Sequence, residues 1–367
     1  QLNSSFSARL EPNAISVDMV SRFRSQNELL SIKKNINENN NDVLIGTHAV
    51  LNDDIYLKNI GLLIIDEEHR FGVKQKEKIK RFKSSVDVLS MSATPIPRSM
   101  NLAISGIYSV SMLQTPPKLR LPIKTQIEYY NDGLIKDAIN FEVSRGGQAY
   151  FVHNDIISIK SVAHKLSGLF SKYTVDFIHG QESPGNIEKK MSAFVSGKTD
   201  ILVCTSIIES GIDVPSANSI IINNSHLFGL SQLYQMRGRV GRGREQAYAY
   251  LLIPRGMSLS EKAFKRIKSI EENISLGSGY NISMADMEIR GSGSLFGYRQ
   301  SGGSGSMGYE MYTRMIQRVL HDSGKLGSGF RILPEDVVIE LYSQRFIPEK
   351  YISLENIRMS VYKSLAT

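Results

Sequence analysis

A recurring unit constrains this sequence most: a short apolar run ends abruptly in a small or acidic residue, and a polar, helix-forming stretch follows. Val43-Leu44-Ile45, Leu62 to Ile65 and Val86 to Met91 establish the pattern near the start of the chain. A strand is apolar throughout, rather than at alternate positions, when helices cover both faces of its sheet, as happens when parallel strands alternate with crossover helices. The runs therefore predict parallel strands buried on both faces. In such sheets ligands gather beyond the carboxyl ends of the strands. Those ends carry Gly46-Thr47-His48, Asp66-Glu67-Glu68-His69 and Ser92-Ala93-Thr94.

The stretch Thr115-Pro116-Pro117-Lys118-Leu119-Arg120-Leu121-Pro122 interrupts the pattern, because proline lacks an amide donor and restricts the residue before it. It reads as a linker between domains. The alternation then resumes, with strands expected at Ala149 to Val152, Val175 to Ile178, Ile201 to Cys204, Ser219 to Ile222 and Tyr248 to Ile253. The expected organisation is a first α/β domain over 1–118, a second over 119–270, a glycine-rich helical segment over 271–325 and the opening of a further domain over 326–367. In the third segment Asp286, Glu288, Arg290, Tyr298, Arg299 and Gln300 lie among glycines and serines, which suits a shaped loop better than a plain tether.

A length of 367 residues exceeds what one core usually holds, which agrees with two domains and an appendage. The longest apolar runs fall far short of the roughly 20 residues a membrane span needs, so no membrane partner is expected. The single cysteine, Cys204, lies inside the apolar run Ile201 to Cys204; it excludes a disulfide framework and is compatible with a reducing cytoplasm. A formal charge of +8 favours polyanionic partners, since each phosphate neutralised releases condensed counterions. Many basic proteins bind no nucleic acid, so charge alone settles nothing.

Two boxes carry the chemistry. After the run Leu62 to Ile65, Asp66 can hold a magnesium ion through water while Glu67 orients and deprotonates the water that attacks a γ-phosphate. Adjacent carboxylates are equally at home in the first turn of a helix, where they complement its macrodipole. In Gln235-Met236-Arg237-Gly238-Arg239-Val240-Gly241-Arg242, the spacing of Arg239 and Arg242 predicts one face of a helical turn, from which both could reach phosphates across a cleft. A solvated basic patch or a clamp on a nucleic-acid backbone is the alternative, and Arg237 reads as nucleic-acid binding or structural. Ser92 to Arg98 and Thr205 to Pro215 each follow a strand and offer hydroxyls and a proline turn, suited to coupling a nucleotide to a bound strand.

In order and spacing these boxes resemble a superfamily 2 helicase: Asp66 to His69 is similar to motif II, Ser92 to Thr94 to motif III, Thr205 to Pro215 to motif V, and Gln235 to Arg242 to motif VI. Longer strings resemble the transcription-repair coupling factors and the related fork-reversal helicases of the RecG type: Ser21 to Ser25, Ile45 to His48, Asp66 to Gly72, Ala93 to Arg98 and Phe228 to Leu233. Asp286 through Gly302 resembles the translocation motif of both. Ser105 to Pro117 and Val337 to Lys363 resemble the linker and C-terminal domain of the coupling factors, whereas Arg299 is closer to the RecG form.

The resemblance implies an α/β fold of two RecA-like domains, the first truncated at its N-terminus, followed by a helical hairpin translocation motif and a partial C-terminal domain. It implies ATP and Mg2+ as cofactors, with Asp66, Glu67, His69, Arg239 and Arg242 catalytic, Asp66 on the metal through water, and Thr94, Gly211, Asp213 and Gln235 at the nucleotide. Arg22, Arg24, Thr47, His48, Thr205, Arg290 and Gln300 are the expected nucleic-acid contacts. The implied activity is translocation on double-stranded DNA that displaces stalled RNA polymerase and recruits excision-repair proteins in the bacterial cytoplasm, at the nucleoid. RecG-like fork remodelling is the alternative. No Gly-x-x-x-x-Gly-Lys-Ser/Thr string occurs in the 367 residues; the resemblance places that phosphate loop upstream of Gln1 and implies that the chain by itself binds DNA without hydrolysing ATP.

Overall fold

Every strand of the chain's principal sheet runs parallel to its neighbours, so each connection must cross back over a face of that sheet. The computed structural model describes residues 2–20, 26–38, 41–51, 60–68, 71–82, 86–94, 109, 111–113, 115, 120–210, 213–243, 245–273, 277–290, 347, 350–352 and 357–361. The chain divides into two compact units, Gln1–Thr313 and Arg314–Thr367. In the second, residues 357–361 are helical and Arg358 donates to Ile352 O at 2.7 Å. The expected hairpin beyond residue 290 and most of the expected C-terminal domain lie outside the described residues.

The described elements of the first unit begin with α1 (Leu2–Leu10), β1 (Val17–Val20), α2 (Gln26–Asn37), β2 (Val43–Gly46), β3 (Leu62–Asp66), α3 (Val73–Phe82) and β4 (Asp87–Met91). They continue with β5 (Lys124–Tyr129), α4 (Asp132–Ser144), β6 (Gln148–Val152), α5 (Ile159–Leu169), β7 (Val175–Ile178), α6 (Pro184–Val195), β8 (Ile201–Cys204) and β9 (Ala217–Ile222). The last are α7 (Leu230–Arg237), β10 (Tyr248–Ile253), α8 (Glu261–Glu272) and α9 (Gly279–Arg290). Strands β5 to β10 form one sheet in the order β5-β10-β9-β6-β8-β7. Before the proline stretch, β1 pairs with β2 and β3 with β4, both in parallel.

The six-stranded sheet shows why continuous apolar runs were needed. Residues of one parity, including Tyr150, Val152, Leu202, Cys204, Ile220 and Ile222, pack with Phe194 of α6, Leu233 and Met236 of α7 and Ile270 of α8. Residues of the other parity, Ala149, Phe151, Ile201, Val203 and Ile221, pack with Ile135 and Ile139 of α4 and Ile159 and Leu166 of α5. Side chains alternate across a strand, so two helical layers bury every position of β8 completely. Local signals start the helices: Asn131 Oδ1 accepts from Gly133 N at 2.9 Å ahead of α4, and Ser260 Oγ accepts from Ala263 N at 3.3 Å ahead of α8.

The first domain departs from the burial expected on both faces. Ile65 is buried, but Leu62, Ile64, Leu89 and Met91 are about half exposed. A pair of strands presents one face to its neighbours here and leaves the other toward solvent. Their apolar residue types encode a second cover that the described residues do not supply.

Candidate functional site

Asp66 ends β3, and its carboxylate is exposed. Glu67 follows in the left-handed region at φ 50°, which is uncommon for a residue with a Cβ and recurs at functional sites. Its backbone amide donates to Met91 O at 2.9 Å, closing the gap between the ends of β3 and β4. The side chain is then held from the neighbouring strand end: Ser92 Oγ donates to Glu67 Oε2 at 2.9 Å and the Ala93 amide faces Oε1 at 3.4 Å. Glu68 accepts from Ser90 Oγ at 2.9 Å. The boxes that the sequence placed at two strand ends are thus one cluster, with Glu67 fixed by backbone and side chain together.

Thr94 carries this cluster into the second domain. Its side chain is buried and accepts from Gln235 Nε2 at 3.2 Å. Gln235 lies in α7, two residues before Arg237. That arginine is 4% exposed and donates from Nη1 to Ile270 O and from Nη2 to Asn273 O, both at 2.8 Å, with its guanidinium 5.1 Å from the Tyr234 ring. Burial lowers its pKa from the ordinary arginine value. Of the two readings of Arg237, the structural one holds: it caps the carboxyl end of α8.

Arg239 and Arg242 do not share a helical face. Helix α7 ends at Arg237, Gly238 follows, and Gly241 adopts φ 73°, so both arginines sit in the turn beyond the helix. A β-carbon at Gly241 would lie 3.1 Å from Ile123 Cγ1 and 3.2 Å from Ala247 Cβ, which is why the turn needs glycine there. Arg242 Nη1 lies 3.3 Å from Asp213 Oδ1, joining two residues that the sequence had assigned separately. Arg120 Nε donates to Gly241 O at 3.2 Å and ties the same turn to the segment before β5.

Thr205 follows β8 and is largely buried, yet it lines a cleft of about 570 Å³ together with Asn154, Asp155, Ile157, Gly180 and Ser206. The cleft lies where β6, β7 and β8 end, the expected ligand edge of such a sheet. Its wall is braced: His153 Nε2 and Ser158 Oγ are 2.8 Å apart, His153 Nδ1 and Asn223 Nδ2 are 3.0 Å apart, and the Ile157 amide donates to Asp155 Oδ1 at 3.0 Å. Burial lowers the His153 pKa, so the ring is held neutral. Thr47 is exposed at the end of β2. His69, Arg22, Arg24, Gly211 and Gln300 lie outside the described residues, as do the side chains of His48 and Arg290.

Sequence reasoning passed over Ser92 as a site residue, although its hydroxyl was visible, and over the 154–157 loop, whose signal was its place after a strand. It also passed over the tripeptide Gly197-Lys198-Thr199. That tripeptide leads from α6 into β8, with Gly197 at φ 75° and Thr199 buried. A phosphate loop runs the other way, from strand to helix, so that amides at the helix start face the phosphates. The tripeptide is therefore a structural turn.

The oxygen ligands and exposed carboxylate at Asp66 fit magnesium, which keeps several waters and is commonly bound by one or two carboxylates plus substrate phosphates. Among the described residues no cluster of three or more His, Cys, Asp or Glu forms a protein-only metal cage. No described helix is long and apolar enough to cross a membrane.

The model of the DEAD/DEAH box helicase family matches residues 1–102, and that of the helicase conserved C-terminal domain matches residues 132–244. The transcription-repair-coupling factor of Myxococcus xanthus is 41% identical over 359 residues, covering 98% of this chain and 30% of the relative. That of Helicobacter pylori is 43% identical over 359 residues, covering 98% of this chain and 35% of the relative. The chain thus spans about a third of the length of these curated relatives. Among solved structures, RecG bound to a three-way DNA junction aligns with a TM-score of 0.63 at 35% identity, over 86% of this chain and 42% of that one. With an α/β architecture of parallel sheets, two helicase models in tandem and this likeness along nearly its whole length, the chain belongs to the transcription-repair-coupling factor family of helicases.

Proposed function

We propose that this chain is the core of an ATP-driven translocase on double-stranded DNA, which displaces stalled RNA polymerase and hands the site to excision-repair proteins. The observation that carries the reading is the continuous contact from Glu67 through Ser92, Ala93 and Thr94 to Gln235, which joins a carboxylate on one domain to the helix leading into the arginine turn of the other. Bound ATP with Mg2+ supplies the phosphoryl-transfer chemistry. Asp66 would hold the metal, Glu67 would orient the attacking water and take its proton, and His69 would complete their box. Thr94, Gly211, Asp213 and Gln235 line the nucleotide, while Arg239 and Arg242 meet the charge that develops on the phosphates. For Arg242 this means exchanging Asp213 for phosphate when the domains close.

Closing and opening would draw duplex past Arg22, Arg24, Thr47, His48, Thr205, Arg290 and Gln300. The likeness to RecG on a DNA junction supports DNA as the track. The names of the relatives favour transcription-coupled repair over fork remodelling. For the 367 residues alone we propose duplex binding without hydrolysis, since they contain no Gly-x-x-x-x-Gly-Lys-Ser/Thr loop. The test is Glu67→Gln in the full-length gene product. Hydrolysis should fall about 10²- to 10⁴-fold, the range a positioned general base supplies, while binding of a fluorescent ATP analogue persists. Unchanged turnover defeats the assignment.

A further inference from the structure

Ala93 is approached from two sides. From within its own domain, its amide faces Glu67 Oε1 at 3.4 Å, while Ser92 holds the other carboxylate oxygen. From the second domain, the first residue of α9 approaches so closely that a β-carbon built on Gly279 would lie 2.0 Å from Ala93 O and 3.2 Å from Ala93 C. The obstacle is backbone, which cannot swing aside as a side chain would. The same position would meet Tyr234 Cε1 at 3.6 Å. Tyr234 neighbours Gln235, whose side chain bonds Thr94, the residue after Ala93.

The start of α9 is itself fixed. Ser278 is buried and donates through Oγ to Asn273 O at 3.1 Å, and Ser283 Oγ donates to Gly279 O at 2.9 Å. Asn273 O is also one of the two carbonyls that Arg237 holds. Gly279 has no positive φ, so backbone conformation does not require glycine at this position. Close approach to Ala93 does.

We propose that Gly279 is a positioning residue: its missing side chain lets α9 seat directly on the strand-end loop that holds Glu67, so a shift of that loop moves the helix leading toward the Arg290 segment. The inference rests on the hydrolytic reading of Glu67 but is separable from it. A methyl group at 279 pushes the seat open and draws the Ser92-Ala93 clamp off the carboxylate. Displacements of about an ångström at a positioned catalytic group can cost about a hundredfold in rate.

Two measurements test it. In the 367-residue chain carrying Cys204→Ser, a Thr94→Cys, Gln235→Cys pair treated with a short bis-methanethiosulfonate reagent reports the seat without any need for hydrolysis, its rate divided by that of the monofunctional reagent because both positions are buried. Adding Gly279→Ala should slow cross-linking by about tenfold or more, while adding Gly168→Ala, where a β-carbon meets nothing within 4 Å, should leave it unchanged. In the full-length gene product, Gly279→Ala should lower duplex-stimulated kcat by about tenfold or more with KM for ATP and melting temperature held. Equal cross-linking with and without Gly279→Ala overturns the seat, and slowed cross-linking with unchanged kcat overturns the coupling. Slowed cross-linking in a protein whose unsubstituted form hydrolyses nothing supports the seat and refutes the hydrolytic reading instead.

Discussion

Replacing Arg237 removes a side chain that ties the helix of the arginine turn to the end of α8 by hydrogen bonds. Two carbonyls, Ile270 O and Asn273 O, lose charged donors that stand at 2.8 Å, and a guanidinium 4% exposed leaves its place against Tyr234. Leaving Ile270 O without this donor costs about 1–3 kcal/mol, while Asn273 O keeps Ser278 Oγ and loses a charged donor worth about 1.5–3 kcal/mol, so the pair sets a scale of about 2.5–6 kcal/mol. Relief from burying a cation subtracts from this, because desolvation of a charge costs several kcal/mol. The expected net loss for Arg237→Ala is about 3 kcal/mol. For a cooperative unit of this size that is a drop of about 6–12 °C in Tm, read by circular dichroism of the 367-residue chain. Arg237→Met separates the terms, since it keeps the apolar stem and still takes the charged donors from both carbonyls, leaving Asn273 O with Ser278 Oγ alone of the two it had. It should also be destabilised, and Arg237→Lys should fall between. An Arg237→Met protein as stable as the unsubstituted chain would refute the capping argument and show that the buried charge was a net burden.

Gly241→Ala forces a left-handed backbone on a residue with a β-carbon and presses it against Ile123 and Ala247. It should cost about 1–2 kcal/mol by thermal melting and lower turnover in the full-length product by moving Arg239 and Arg242; an unchanged melt would count against the strained turn. Stability should also fall on acidification from about pH 6.5 to about 5.5. Burial lowers the pKa of His153 and of His226, with Arg266 a further cause at His226, so the unfolded chain takes up protons first. Their contribution is complete above the unfolded value of about 6.5 and is lost as pH falls below it. The lowered carboxylates, Asp132 and Asp155 among them, lose theirs only near or below their ordinary range and stay out of this window. Urea midpoints across the window should flatten in His153→Gln, His226→Gln, and an unsubstituted protein with no slope would refute the assignment.

The strands of the six-stranded sheet that appear as apolar runs in the sequence fall where those runs place them, because burial on both faces leaves a strand no freedom to be polar. The strands that escape sequence reading are β1 and β5. In β5, Lys124, Gln126 and Glu128 are exposed on an edge strand, where one side of the ladder and much of the surface face solvent. Polar residues cost nothing there, so the apolar signal disappears. In the candidate site, the position of Asp66 and Glu67 at a strand end was legible from the apolar run before them. The left-handed conformation of Glu67 and its bonds to Ser92 and Ala93 were not, since they depend on a neighbouring strand end 25 residues away along the chain.

Residue types and order by themselves determined the α/β class, the parallel strands of the second domain and the carboxylate and arginine boxes, because each is written in contiguous residues whose solvation or charge leaves few choices. Tertiary structure decided what those residues do to one another. It turned Arg237 from a candidate nucleic-acid contact into a cap on α8, took Arg239 and Arg242 off a common helical face at Gly238 and Gly241, paired Arg242 with Asp213, and set Gly279 against Ala93. These outcomes turn on distances of a few ångströms between segments far apart in the chain, and no local pattern of hydrophobicity or charge encodes such distances.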